Sequence, residues 1–454
     1  MSDRLAIFGS WVWAEGALLH DRWVLIEDGQ VAAIEAGRPH ADQLLDAPGR
    51  LVLPGLLNLH NHCFSEMVVR NRTEDGAAGD EAGLVYRLLM PLSLLAMRHL
   101  GPFERLAIAR LGILQVMLGG ATTLMEPFRN GIPEMFDAAA ELGLRFYGAP
   151  YVFSTADPVL GADGAMRYGG GADDGATDMA VWDSLFERWN GAADDRIRLA
   201  LSPHATDTCG PELLRRVQAR AAETGVPVTI HLAQSTGEVS ASRARHGCSP
   251  AQYLDRVGLL NDRLLAAHCI HCDAEDLALL RARGVTVLNC PRTFARTGVA
   301  APFSRFAGAG LRTLVATDGY NMDLLGELGT AGIVAKLDAR RADVATAPAL
   351  VRAVTSDAAA ALGRGDLGTI RPGALGDLTV LDLTHPHLQP VADPIRAAVW
   401  LGHRADLDLL VVGGRVLVRG GRLLAGDQRA IVAAGVAAIR QAWELAEARA
   451  ILGA

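Results

Sequence analysis

No block of basic residues occurs anywhere in this sequence of 454 residues, and its formal net charge is −8. Without a positive patch to neutralise a phosphate backbone, nucleic acid is not expected as a partner. No apolar run reaches the ~18 residues of a membrane span. The opening segment MSDRLAIFGSWVWAEG lacks the charged flank, apolar stretch and small-residue cleavage site of an export signal. The expectation is a cytoplasmic protein with no membrane partner. Cysteine is also scarce: six residues, at Cys63, Cys209, Cys248, Cys269, Cys272 and Cys290, are too few for a disulfide framework in so long a chain and read as free thiols. Cys269 and Cys272 form a C-x-x-C, but inside the apolar run LLAAHCIHC and with no second pair at zinc-finger spacing. They read as ordinary buried cysteines before a redox or structural-zinc pair.

Half of the residues are hydrophobic and 21% are charged, the balance of a globular protein with a large core. Length alone suggests about three domains, yet an α/β barrel takes roughly 250 residues as one unit, so one barrel plus one smaller domain fits. Between residues 50 and 370, short β-rich apolar runs alternate with longer amphipathic ones. The runs are LVLPGLL (51–57), ATTLM (121–125), LRFYGAPY (144–151), IRLALSP (197–203), PVTIHL (227–232), LLAAHC (264–269), VTVLN (285–289) and RTLVAT (312–317). Stretches 103–118, 211–223, 274–283 and 322–337 follow such runs with apolar residues at helical spacing. Eight alternations predict a closed (β/α)₈ TIM barrel.

The flanks differ. Residues 22–34 place two β-rich runs around Asp28-Gly29, and residues 408–418 repeat the design around Gly413-Gly414. This predicts a small β-sandwich domain built from 1–57 and 375–427, with the barrel (58–374) inserted and a closing Ala-rich helix in 428–454. The Gly-, Ala- and Asp-rich stretch from Val152 to Met179 is long for a connection and is expected to cover an active site.

Barrel active sites gather at the C-terminal ends of the strands. There the sequence holds His60 and His62 after the first run, His204 after the fourth, His231 at the end of the fifth, His268 at the end of the sixth and Asp318 after the eighth. Two residues apart on an extended chain, His60 and His62 face the same side and can reach one ion. A lone buried histidine is more often a hydrogen-bonded core residue. Unrelated core histidines would not all fall at one end of different strands.

These segments resemble the amidohydrolase superfamily, in particular the group that contains cytosine and guanine deaminases, methylthioadenosine deaminases and triazine hydrolases. The resemblance rests on LPGLLNLHNH, GGATTLME (119–126), LSPHATDTCGPELL (201–214), IHLAQSTGEV (230–239), AHCIH (267–271), ATDG (316–319) and TIRPGALGDLTVLD (369–382), and it covers nearly the whole chain. It implies that His60, His62, His231 and Asp318 hold one divalent ion, Zn²⁺ before Fe²⁺. It further implies that His268 bonds the attacking water or the substrate, that His204 contacts the substrate and that the enzyme is a homo-oligomer acting on a small molecule. Neutral imidazoles with one carboxylate suit such an ion and leave a position for water, whose pKa the ion can lower from 15.7 to about 7. Asp318 beside that water could pass its proton to the leaving group.

One departure matters. Deaminases of this group carry a Glu three residues after the fifth-strand His, and this chain has Gln234. The second Glu of that motif is retained as Glu238, and Glu126 stands where many relatives have Asp or another polar residue. NCPRTFARTG (289–298) replaces the group's usual seventh-strand pattern and brings in Arg292 and Arg296. These arginines read as solvated charges or as contacts to an acidic substrate group. The expected substrate-binding set is therefore His204, Gln234, Glu238, Glu126 and Arg292, with Asp318 and His268 catalytic. The expected activity is hydrolysis of a C–N bond in a small heterocyclic molecule, by deamination or amide- or urea-type cleavage. The alternatives are displacement of chloride or a thiolate, or a catalytically silent scaffold.

Overall fold

A computed structural model describes residues 4–70, 85–160, 166–170 and 174–447. Eight parallel strands form the barrel: β1 (Leu56–Asn58), β2 (Ala121–Phe128), β3 (Arg145–Val152), β4 (Ile197–Leu199, continued by Ser202–Pro203), β5 (Val228–Leu232), β6 (Leu264–His268), β7 (Thr286–Asn289) and β8 (Arg312–Val315). They pair in sequence order within two groups, β1 to β4 and β5 to β8. Parallel bridges join the groups at both edges, Leu201 with Val228 and Ala205 with His231 on one side, Asn61 with Asp318 on the other. Every residue of β2, β3, β5 and β6 is buried. Strands covered on both faces read as continuous apolar runs, which is why they stand out in the sequence. Leu57, Met125, Tyr147, Leu265, Leu288 and Leu314 fill the barrel interior.

The first run divides. Arg50–Pro54 belongs to the terminal sheet and Leu56–Asn58 to the barrel, so the 57/58 boundary read from sequence falls inside β1. Pro54 offers no N–H to a ladder, and a Cβ on Gly55 would meet Thr122 Oγ1, so only glycine lets the chain change sheets here. The helix expected from 322 begins at Leu324, because the Asp323 carboxylate caps it by accepting the Gly326 N–H at 3.1 Å.

The terminal segments form one hydrogen-bonded path of strands, in the order 422–423, 415–419, 407–412, 378–382, 50–54, 4–14, 17–27 and 30–35, with 43–45 added beside 4–14. Both expected hairpin turns have positive φ at each central residue, Asp28 48° and Gly29 79°, Gly413 54° and Gly414 75°. The sheet is tied to the barrel by Arg145, the first residue of β3, whose guanidinium grips Asp377 with two hydrogen bonds of 2.8 and 3.0 Å. The last helix, Gln428–Glu447, packs on Pro102–Leu118, where Gly435 admits Leu111, and its Trp443 indole donates to the Val68 carbonyl at 2.6 Å. The final part of the closing segment expected to run to 454 lies outside the described residues, as do 161–165 and 171–173 of the expected cover. What is described of that cover is an antiparallel ribbon of Thr155–Leu160 and Met166–Gly170.

Candidate metal centre and active site

The C-terminal ends of β1, β5, β6 and β8 bring His60, His62, His231, His268 and Asp318 together. Asp318 Oδ1 lies 3.3 Å from the Nε2 atoms of both His60 and His62, and His62 Nε2 is 3.3 Å from His231 Nε2. His268 completes the cluster, with its ring centroid 5.0 Å from that of His60 and 5.4 Å from that of His231. Two of these residues leave their strands in the left-handed region, His268 with φ 78° and Asp318 with φ 59°. Such backbone strain is characteristic of functional positions held by surrounding structure. Here the holders are the Asp318 N–H bond to the His60 carbonyl and the Asn58 and Asn61 amides, both donating to Thr317 Oγ1 at 2.7 Å.

The ring orientations fit a cation. His62 Nδ1 donates to the Pro127 carbonyl at 3.0 Å and His231 Nδ1 donates to the His204 carbonyl at 2.8 Å. In the neutral tautomers so fixed, both Nε2 lone pairs point at one another and at the Asp318 carboxylate. Neither ring nitrogen of the buried His60 has a hydrogen-bond partner of good geometry. Electron-pair donors with no proton between them repel, and a shared cation reverses that. Bonds of about 2.0–2.1 Å in a tetrahedral site place donors about 3.3 Å apart, the spacing observed.

Burial decides the state of three of the histidines. It lowers His204 and His268 to about 3, with Arg129 adding to the effect on His204, and it holds His231 well below the ordinary histidine value. Burial would raise Asp318, but His268 and the close rings of His60 and His62 outweigh it and keep the carboxyl well below its usual range. The donor set is thus imidazoles around an ionised carboxylate, and against the pull of burial that carboxylate's hydrogen bond and charge raise His62 above the ordinary histidine value.

Above the cluster is a cavity of about 890 Å³, counting the space at its mouth. His62, His204, His231, Gln234, His268 and Asp318 line it. Phe153 stacks on His204 with centroids 5.0 Å apart. Its apolar lining is Val85, Tyr86, Leu89 and Met90, with Phe294 from a separate cluster, and the polar groups include Ser65, Glu66, Ser93 and Arg129. Burial pushes Glu66 up to about 7.

Three expected substrate contacts sit elsewhere. Glu126 is fully buried and accepts the Phe64 N–H at 3.3 Å, holding the start of the helix Cys63–Val69. Glu238 accepts the Thr206 hydroxyl at 2.5 Å and the Gln234 N–H at 2.9 Å, bracing the turn after β5. Arg292 turns to the helix Leu324–Ala339, donating to the Gly326 carbonyl and Thr330 Oγ1 at 2.8 Å. Each spends its hydrogen bonds on neighbouring protein groups rather than on the cavity. Arg296 lies 3.5 Å over the Tyr320 ring. Conversely, Arg129 and Tyr151, at the ends of β2 and β3, line the cavity although the sequence reading passes over them. A census of strand ends that included Arg and Tyr would have found them. The 85–90 wall carries no such signal.

The profile of the Amidohydrolase family matches residues 51–417. The chain is 32% identical to a 5-methylthioadenosine/S-adenosylhomocysteine deaminase of Natronomonas pharaonis, over 86% of each chain. It is 31% identical to a 5′-deoxyadenosine deaminase of Methanothermobacter thermautotrophicus, over 88% of this chain and 90% of that one. Among solved structures, zinc-bound atrazine chlorohydrolase from Arthrobacter aurescens superposes with a TM-score of 0.83 at 25% identity, over 96% of this chain and 100% of that one. A zinc-bound adenosine deaminase from Xanthomonas campestris gives 0.85 at 24% identity, over 97% and 98%, and so speaks for the fold. A TIM barrel with its strand-end histidines and this profile make the class plain: the chain belongs to the amidohydrolase family. It is a hydrolase of C–N bonds that depends on a divalent metal and acts on a small molecule. No helix among the described residues is long and apolar enough to cross a membrane.

Proposed function

We propose that the protein is a mononuclear zinc hydrolase that removes an exocyclic group, an amino group foremost, from a planar nitrogen heterocycle bearing an apolar substituent. The observation that carries the reading is the meeting of four electron-pair donors, from His60, His62, His231 and Asp318, at spacings of 3.3 Å with hydrogen-bonded second nitrogens behind two of them. When bound there, zinc supplies Lewis acidity, polarising the bond under attack and lowering the pKa of water toward about 7. The residues do the rest. Asp318, kept ionised, takes the proton of the attacking water, and His268 beside it bonds the water and the developing oxyanion. His204 and Gln234 orient the ring from the cavity wall, and Val85, Leu89, Met90 and Phe294 exclude water around the apolar substituent. The substrate class is supported by that wall and by relatives named for adenine-derived compounds and atrazine.

A second reading has one observation in its favour. Gln234 lines the cavity and cannot deliver a proton to a ring nitrogen, which favours leaving groups such as chloride or a thiolate that depart without it. The reading further includes a homo-oligomer working in the cytoplasm, which sedimentation and fractionation test directly. The central experiment is metal analysis followed by a substrate panel scored separately for ammonia, amine, chloride and thiol release. At this site about one equivalent of zinc per chain is expected, lost in a His60→Ala/His62→Ala double variant. Full metal content in that variant would defeat the assignment, and metal-replete protein inert on the whole panel would favour a silent scaffold.

A further inference from the structure

A second group of metal-binding side chains lies outside the barrel, at the neck where residues 383–406 leave the terminal sheet after Leu378–Asp382 and rejoin it at Leu407–Val412. His385 and His387, from the segment THPHLQP, meet Asp406 across this neck. Asp406 Oδ1 is 2.7 Å from His385 Nδ1 and 3.1 Å from His387 Nε2. The carboxylate of Asp406 is fully buried, while the two imidazoles are 38% and 41% exposed, so the cluster has a dry floor and a wet rim. Asp382 Oδ2 stands 3.8 Å from the other nitrogen of His385. The His403 ring stacks on His387 with centroids 4.8 Å apart and planes within 8°.

The floor is built rather than incidental. The His403 backbone N–H donates to Asp406 Oδ2 at 2.9 Å, and the Ala405 N–H donates to His403 Nδ1 at 3.3 Å. These bonds hold the carboxylate with Oδ1 toward His385 and His387 and fix the His403 ring as a wall for His387. A rigid carboxylate with two imidazoles supported behind it is the donor arrangement of a site for a borderline cation of the cobalt-to-zinc series, and it is poorly suited to Ca²⁺ or Mg²⁺, which want oxygen ligands. Donor spacings of about 3.3 Å for tetrahedral bonds of 2.0–2.1 Å ask the 2.7 Å separation, itself a hydrogen bond, to open by about 0.6 Å and the 3.1 Å one by about 0.2 Å, within the freedom of half-exposed rings.

We propose that His385, His387 and Asp406 form a second divalent transition-metal site, open to solvent at its remaining positions, that staples the neck of the 383–406 excursion. The staple reaches the active-site side of the molecule. Arg404, two residues before Asp406, donates to the Gln115 side chain at 2.9 Å and to the Asn321 carbonyl, in the loop that follows Asp318. An ion that binds the folded form and not the unfolded one raises the unfolding temperature with its concentration.

The test uses Co²⁺ and the full-length protein, with the barrel site disabled so that the two sites are read apart. The His60→Ala/His62→Ala variant, freed of metal, is expected to take up about one Co²⁺ per chain at micromolar concentration, with a visible absorption spectrum perturbed by nitrogen ligands and a rise in Tm. Adding His385→Gln/His387→Gln should abolish uptake, spectrum and Tm rise while leaving circular dichroism unchanged. In the protein with its barrel site intact, His385→Gln/His387→Gln alone should remove one equivalent of bound metal and spare turnover. No uptake by the first variant, or uptake that survives the second pair of substitutions, would overturn the proposal.

Discussion

Replacing Arg145 with methionine should unseat the barrel from its terminal sheet more than any surface change could. The guanidinium and the Asp377 carboxylate are 4% and 2% exposed and share hydrogen bonds of 2.8 and 3.0 Å. Asp377 Oδ1 also accepts the Gly413 N–H at 2.7 Å, so the carboxylate is held in place when its cation is removed. Opposite charges about 4 Å apart attract by about 4 kcal/mol at an effective dielectric near 20. Breaking such a buried pair from one side costs about 3–5 kcal/mol, because the remaining charge cannot return to water. Unfolding entropy of about 2.1 cal/mol/K per residue, taken over 454 residues, is about 1 kcal/mol/K. Arg145→Met should therefore lower Tm by about 3–5 °C in calorimetry at pH 7 with zinc present. Arg145→Met/Asp377→Leu, which removes both charges, should recover at least half of the loss. A fall of less than about 1 °C in the single variant, or a double variant worse than the single, would refute the argument that an orphaned buried charge is what costs.

Three further outcomes are expected. His268→Ala should keep its metal and lose about 10²–10⁴-fold in kcat, and metal loss in proportion to activity would make His268 a ligand instead. Gln234→Glu should raise ammonia release from amino-heterocycles by at least about 10-fold, toward the 10²–10⁴ of a positioned acid, and an unchanged rate at full metal content would show that the proton comes from elsewhere. Glu327 is pushed by burial to about 8 from an ordinary 4.5, so the folded chain keeps a proton that the unfolded chain releases. Its contribution to stability falls as pH rises from about 4.5 to 8, and Glu327→Gln should gain stability over the parent across that window, read as the difference in urea midpoint between pH 5 and pH 8. A difference independent of pH would show that Glu327 does not titrate there.

What the sequence determined by itself was set by local and periodic physics. Strands buried on both faces are mostly apolar, so eight runs and their intervening amphipathic stretches were legible, and Asp28-Gly29 and Gly413-Gly414 announced hairpins through their tolerance of positive φ. Because barrel chemistry sits at strand ends, the position of His60, His62, His231, His268 and Asp318 along the chain was enough to group them. Tertiary structure alone decided the rest. Whether a buried polar residue faces a cavity or a neighbouring backbone depends on which partner lies within about 3 Å, and that sent Glu126 to Phe64, Glu238 to Thr206 and Arg292 to Gly326 and Thr330. Folding alone set the helical residues Val85, Leu89 and Met90 against a cavity whose donors come from four strands, and it let His385 meet Asp406 across 21 residues. It also turned His62 and His231 by bonds to the Pro127 and His204 carbonyls, a choice of ring nitrogen that no spacing encodes, because it is made by the chain running past behind them.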